Sequence, residues 1–131
     1  MSRTVHSPIM FIMIVVLAFF SGTARTQTTG TSNDFKLTEL LREADSLFFY
    51  AHYNEAVHYY EMALDRFREE KKWDGYVSVL NRLTDLSMET DDWSEAIEYN
   101  REATMIAGEN LQKTHPERIY CHINRGRTLS E

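Results

Sequence analysis

The stretch YNEAVHYYEMAL, Tyr53–Leu64, returns in altered form forty residues later as WSEAIEYNREAT, Trp93–Thr104. Each copy opens on an aromatic residue and continues with a Glu-Ala pair, a β-branched residue, a Tyr and a second Ala at the same offsets. Ala56 and Ala63, like Ala96 and Ala103, stand seven apart and so share one face of an α-helix. Small side chains there let a neighbouring helix approach closely, and Tyr60 fills the space beside them. A motif repeated at this distance means that two segments meet the same packing problem.

The flanking sequence has the same helical character. Leu37, Leu40, Leu41, Ala44, Leu47 and Phe48 recur at three- and four-residue steps, which predicts a helix from Asp34, as N-cap, to Ala51. Asn54 is the expected cap of a second helix, with Glu55 favourably placed in its first turn. A third helix is expected from Trp73 or Asp74, with Tyr76, Val77, Leu80, Leu83, Thr84 and Ser87 inward. A fourth, capped by Asp92 or Ser94, presents Ala96, Ile97, Tyr99, Ala103 and Ile106 and ends near Gly108. A fifth opens behind Pro116, where the missing proline N–H costs nothing. Only five Gly and two Pro interrupt the chain, so these helices can run long. The fold class predicted is all-α. Helix pairs of this size cannot bury their apolar faces alone and stack into a solenoid.

On these residues the chain from Leu37 onward resembles tetratricopeptide repeats. The matching positions are Leu40, Ala44, Leu47, Tyr53, Ala56, Tyr60 and Ala63 in one copy. In the next they are Leu80, Leu83, Thr84, Trp93, Ala96 and Ala103, and His122, Gly126 and Leu129 begin a third. Asn100 departs from the pattern where Tyr60 stands, as do Thr84 and Ser87. The resemblance implies a solenoid of about two and a half repeats, covering 34–71, 73–109 and 116–131. Its packing residues would be Ala44, Tyr53, Ala56, Tyr60, Ala63, Trp93, Ala96, Ala103 and Gly126. The forty-residue unit, longer than the plain repeat, is similar to the extended repeats of kinesin light chains. It is also similar to repeats that precede a caspase-like CHAT peptidase domain in bacterial proteins.

The resemblance further implies a concave face built from the first helix of each pair and used to bind a peptide or a helix. The residues expected there are Leu41, Asp45, Phe48, Asn81, Asp85, Met88, Ile123 and Arg127, with burial in the core the competing expectation for Phe48 and Met88. The Lys/Asn pattern with which chaperone-adaptor repeats grip a peptide carboxylate is missing. The expected partner is therefore a protein or peptide of another kind, and a homodimer through the last helix is a second expectation. A regulatory segment of a larger peptidase or sensor kinase is the alternative, because the chain is also expected to be the leading part of a longer protein.

Other chemistry finds little footing. His52 and His58 lie six apart and point to different sides of a helix. Zinc, EF-hand and phosphate-loop spacings are missing from the sequence, so no metal or cofactor is expected. Cys121 and His122 are adjacent and diverge by about 100° on a helix, with no third group to orient them. No catalytic residue is predicted and no small-molecule substrate is expected. As the single cysteine, Cys121 is read as a half-buried apolar residue, with an intermolecular disulfide as the other reading.

At the N-terminus Arg3 precedes an apolar run, Ile9–Phe20, and then Gly22 and Ala24. This is the layout of a cleavable export leader ending at Ala24. The run is shorter than the ~20 residues a membrane span needs, although an N-terminal anchor is the alternative. Polar residues 25–33 are expected to form a flexible lead-in. Loss of residues 1–24 removes Arg3 and no acid, taking the net charge from −6 to −7. That acidity argues against nucleic acid and anionic membrane surfaces as partners.

Overall fold

The computed structural model describes residues 29–130, and the expected leader lies outside them. Five helices and no strand occur among the described residues: α1 (Thr29–Phe49), α2 (Tyr53–Glu69), α3 (Trp73–Glu89), α4 (Trp93–Asn110) and α5 (Pro116–Thr128). The all-α expectation is met. No helix among the described residues is long and apolar enough to cross a membrane.

The middle of the domain is α3, which packs against α2, α4 and α5, while α4 also packs against α5. Ten of its seventeen residues are buried, too many for one amphipathic stripe, so α3 is enclosed on several sides. Its Tyr76, Val77, Val79, Leu80, Leu83 and Leu86 join Ala44 of α1, Ala56, Tyr60 and Ala63 of α2, and Ala103 and Ala107 of α4 in one core. The alanines at these contacts are completely inaccessible. At the core's edge a polar link ties three helices: Arg68 of α2 donates to the Tyr76 hydroxyl, which donates to Glu102 of α4.

The turns share one design. Ala51, Lys71 and Asp91, at twenty-residue steps, have φ of 60°, 54° and 59°. In each turn the following N–H reaches back five residues: His52 to the Leu47 carbonyl, Lys72 to Phe67 and Asp92 to Ser87. The left-handed residue itself donates to the carbonyl three before it. This paired closure ends a helix and reverses the chain, and it normally places glycine at the left-handed position. Helices α2, α3 and α4 then open on Tyr53, Trp73 and Trp93. Tyr53 lies against Phe48 with ring centroids 5.9 Å apart, and Trp73 meets the edge of Tyr76 at 5.9 Å.

Several boundaries differ from those predicted. Helix α1 begins at Thr29, so residues 29–33 are helical where a flexible lead-in was expected. Asp34 is not its cap; its carboxylate lies 2.6 Å from Lys72 Nζ and is used across the fold. The cap of α2 is His52, without a side-chain bond, and not Asn54. Asp92 does cap α4 through Glu95 N–H, and the helix runs on past Gly108 to Asn110.

The packing residue expected of α5 needs correction. Gly126 is exposed, and a Cβ there would meet nothing within 4 Å. The buried residues of α5 are Cys121, Asn124 and Thr128. Asn124 stands forty residues after Thr84, which stands forty after Ala44, and all three are fully inaccessible. A buried amide at this position interrupts the apolar periodicity that marks an inward helix face. Glycine matters instead at Gly75, where a Cβ would lie 2.2 Å from the Phe67 ring.

Two substitutions should therefore move stability in opposite directions. Gly75→Ala forces the Phe67 ring aside and should cost about 1–3 kcal/mol. Ala51→Gly relieves a left-handed alanine and should add about 1 kcal/mol. Urea denaturation of both variants beside the parent checks the two signs.

Candidate functional site

Helices α1, α3 and α5 border a cleft of about 390 Å³. Phe48 enters it from α1, Ser78, Asn81, Arg82 and Asp85 from α3, and Pro116, Glu117 and Tyr120 from α5. The α3 residues recur at three- and four-residue steps and so share the one face that the core leaves open.

Each carboxylate here is held by donors from a different helix. Asp45 of α1 takes the Tyr60 hydroxyl at 2.7 Å and pairs with Arg82 of α3. Asp85 takes the Tyr120 hydroxyl at 2.9 Å and Arg127 at 2.8 Å, both from α5. Asn81, 2% exposed, donates to the Glu117 carboxylate at 2.9 Å and to its main-chain carbonyl at 3.1 Å. Burial and the bond to Asp45 push the Tyr60 phenol well above its ordinary value, so it stays a neutral donor. Tyr120 is shifted the same way, first by partial burial and then by Asp85. The cleft thus offers an aromatic ring at either side and a rim of matched charges. Such a surface suits hydrogen bonding and ring contacts to an extended chain.

Of the residues expected on this face, Phe48, Asn81 and Asp85 line the cleft, and Asp45 and Arg127 hold its rim. Leu41 is half-buried against the core. Met88 is 7% exposed and belongs to the interior, so it leaves the candidate set. Asn81 lines the wall, but its amide is already engaged. Ile123 is 52% exposed and points elsewhere. Ser78, Arg82, Pro116, Glu117 and Tyr120 were missed. Arg82 could have been found as a lone cation one position from the apolar stripe, although its partner Asp45 lies 37 residues away.

The tempting neighbours are not brought together. His52 and His58 are both exposed, and no group of three metal-ligating side chains occurs among the described residues. His122 is exposed, whereas Cys121 is fully buried and not half-buried as expected. Its thiol reaches Asn81 Oδ1 at 3.4 Å, and its carbonyl accepts from Asn100 Nδ2 at 2.9 Å. Asn100 thereby replaces the aromatic of the first copy with a bond to the next helix. Comparison with protein-family models, with curated proteins and with solved structures gives no match.

Burial pushes the Cys121 thiol up to about 11 from an ordinary value of 9.0, against the opposing bond from Asn81. A folded-state value above the unfolded one favours the protonated fold, so this contribution is complete below pH 9 and is lost as pH rises towards 11. Half-buried Tyr99, pushed up to about 12 by desolvation and then by Glu95, acts in the same direction higher up. Thermal melts should show stability falling across that alkaline range. A disulfide reagent at pH 8 should label Cys121 only as fast as the protein opens.

Proposed function

We propose that residues 34–130 form a tetratricopeptide-like interaction module whose α1/α3/α5 face binds an extended peptide or a helix of a partner protein. The observation that carries this is the cleft itself. It runs across alternate helices, is flanked by Phe48 and Tyr120, and has its charges already matched within the fold. A ligand therefore gains ring contacts and hydrogen bonds without leaving a buried charge unpaired. The twenty-residue spacing of the turns and the forty-residue spacing of Ala44, Thr84 and Asn124 support a repeat solenoid as the scaffold. The leader pattern at the N-terminus supports export, which would place the module outside the cytoplasm.

A random-peptide display library panned on the protein provides the ligand for a test. Selected peptides should lose roughly tenfold or more in affinity with Phe48→Ala or Tyr120→Ala, as aromatic anchors do. Met62→Ala, an exposed residue of α2 outside the cleft, should change nothing. Peptides indifferent to both cleft substitutions, or no selected peptide at all, would overturn the reading.

A further inference from the structure

A second groove, of about 380 Å³, lies between α4 and α5 and away from the cleft. Its apolar lining is Ile97 and Met105 of α4 and Leu129 just beyond α5, which are 41%, 55% and 71% exposed. Apolar side chains this open around one groove mark a surface that meets another molecule. The charged residues that line it are Arg101 and Arg125, and no carboxylate does so among the described residues. Glu98, which pairs with Arg101 from one turn before, and Glu102 border a neighbouring depression with Tyr99 instead. The Arg101–Glu98 pair joins two exposed side chains of one helix and is worth little, so Arg101 turns to another carboxylate at small cost. In a chain of net charge −6, a groove lined by cations alone is a local reversal of sign.

The fold itself shows what such a face receives. Forty residues before Ile97, Arg101, Thr104 and Met105 stand Val57, Glu61, Leu64 and Asp65 of α2. There a helix comes alongside: Glu61 and Leu64 share a depression with Tyr99 and Glu102 of α4, and Leu64 is buried. A carboxylate of the incoming helix meets a cation of the receiving one, since Glu102 lies 4.0 Å from Arg68 of α2. On α4 the corresponding face is open, with Ile97 and Met105 exposed. Where α2 has Glu61 and Asp65, α4 has Arg101 and Met105, so the charge an incoming helix must match is positive.

We infer that the α4/α5 groove binds an amphipathic helix of a partner protein, one whose apolar stripe is flanked by Asp or Glu. The stripe covers Ile97, Met105 and Leu129, and the flanking carboxylates pair with Arg101 and Arg125. The two arginines come one from each helix, so carboxylates on both flanks of the stripe are answered. A helix with lysines in those places meets like charge and is rejected. The site is separate from the proposed peptide cleft of α1, α3 and α5 and does not rest on it.

A display library of short helices, with an apolar stripe and either Glu or Lys at the flanking positions, tests this when panned on the full chain. Glu-flanked helices should be recovered and Lys-flanked ones should not. The affinity of a recovered helix, read by fluorescence anisotropy, should fall roughly tenfold or more with Met105→Glu, as loss of an apolar anchor does. Arg101→Glu combined with Arg125→Glu should cost as much, and should turn the preference towards the Lys-flanked helices, which a misfolded variant would not do. Phe48→Ala, in the cleft, should leave the affinity unchanged, so failure of this site and failure of the cleft are told apart. No recovered helix, equal recovery of the two kinds, or binding indifferent to Met105→Glu would overturn the inference. So would self-association of the parent in sedimentation velocity that Met105→Glu abolishes, because the occupant would then be a second copy.

Discussion

The enclosure of α3 is the constraint on which the domain depends. A helix with water on one side needs a single apolar face, but α3 has neighbours in α2, α4 and α5 and must satisfy all of them. Its aliphatic residues do most of this by burial. Asn81 does the rest by bonding, holding Glu117 through its amide and taking the Cys121 thiol through its oxygen. A buried amide without those bonds would be costly, so α5 has little freedom in where it sits. Asn100 fixes the same helix from α4 through the Cys121 carbonyl. The position of α5, and with it one wall of the cleft, follows from two asparagines.

Much of the architecture could be read in advance. Alanines spaced seven apart on α2 and α4 marked close helix contacts, and each of them is inaccessible. The repeated aromatic openings at Tyr53 and Trp93 marked helix starts, although the matching Trp73 shows that the turns recur every twenty residues. What escaped was polar. Asn124 is buried where Gly126 was expected; its oxygen bonds only Arg127 of the same helix and its Nδ2 has no partner among the described residues, and apolar periodicity does not mark such a residue. Helix starts moved for a related reason: Asp34 serves Lys72 across the fold instead of capping α1.

The cleft was legible only in outline. Alternate helices were expected to supply its wall, and Phe48, Asn81 and Asp85 do. Arg82, Glu117 and Tyr120 become visible only when residues about forty apart are placed side by side. Matched charges keep the rim in place without a ligand, so binding need not order it first. The outer groove of α4 and α5 offers the opposite character, with Ile97, Met105 and Leu129 exposed along it. One domain thus presents two surfaces of different chemistry on either side of a single helix.

Native-state hydrogen exchange tests the central role of α3 most directly. If the domain is organised around that helix, the amides from Val77 to Ser87 exchange slowest and open only with global unfolding. The amides of α1 and α5 should open earlier and independently. Amides of α3 exchanging through local opening, faster than those of α1 or α5, would contradict the account.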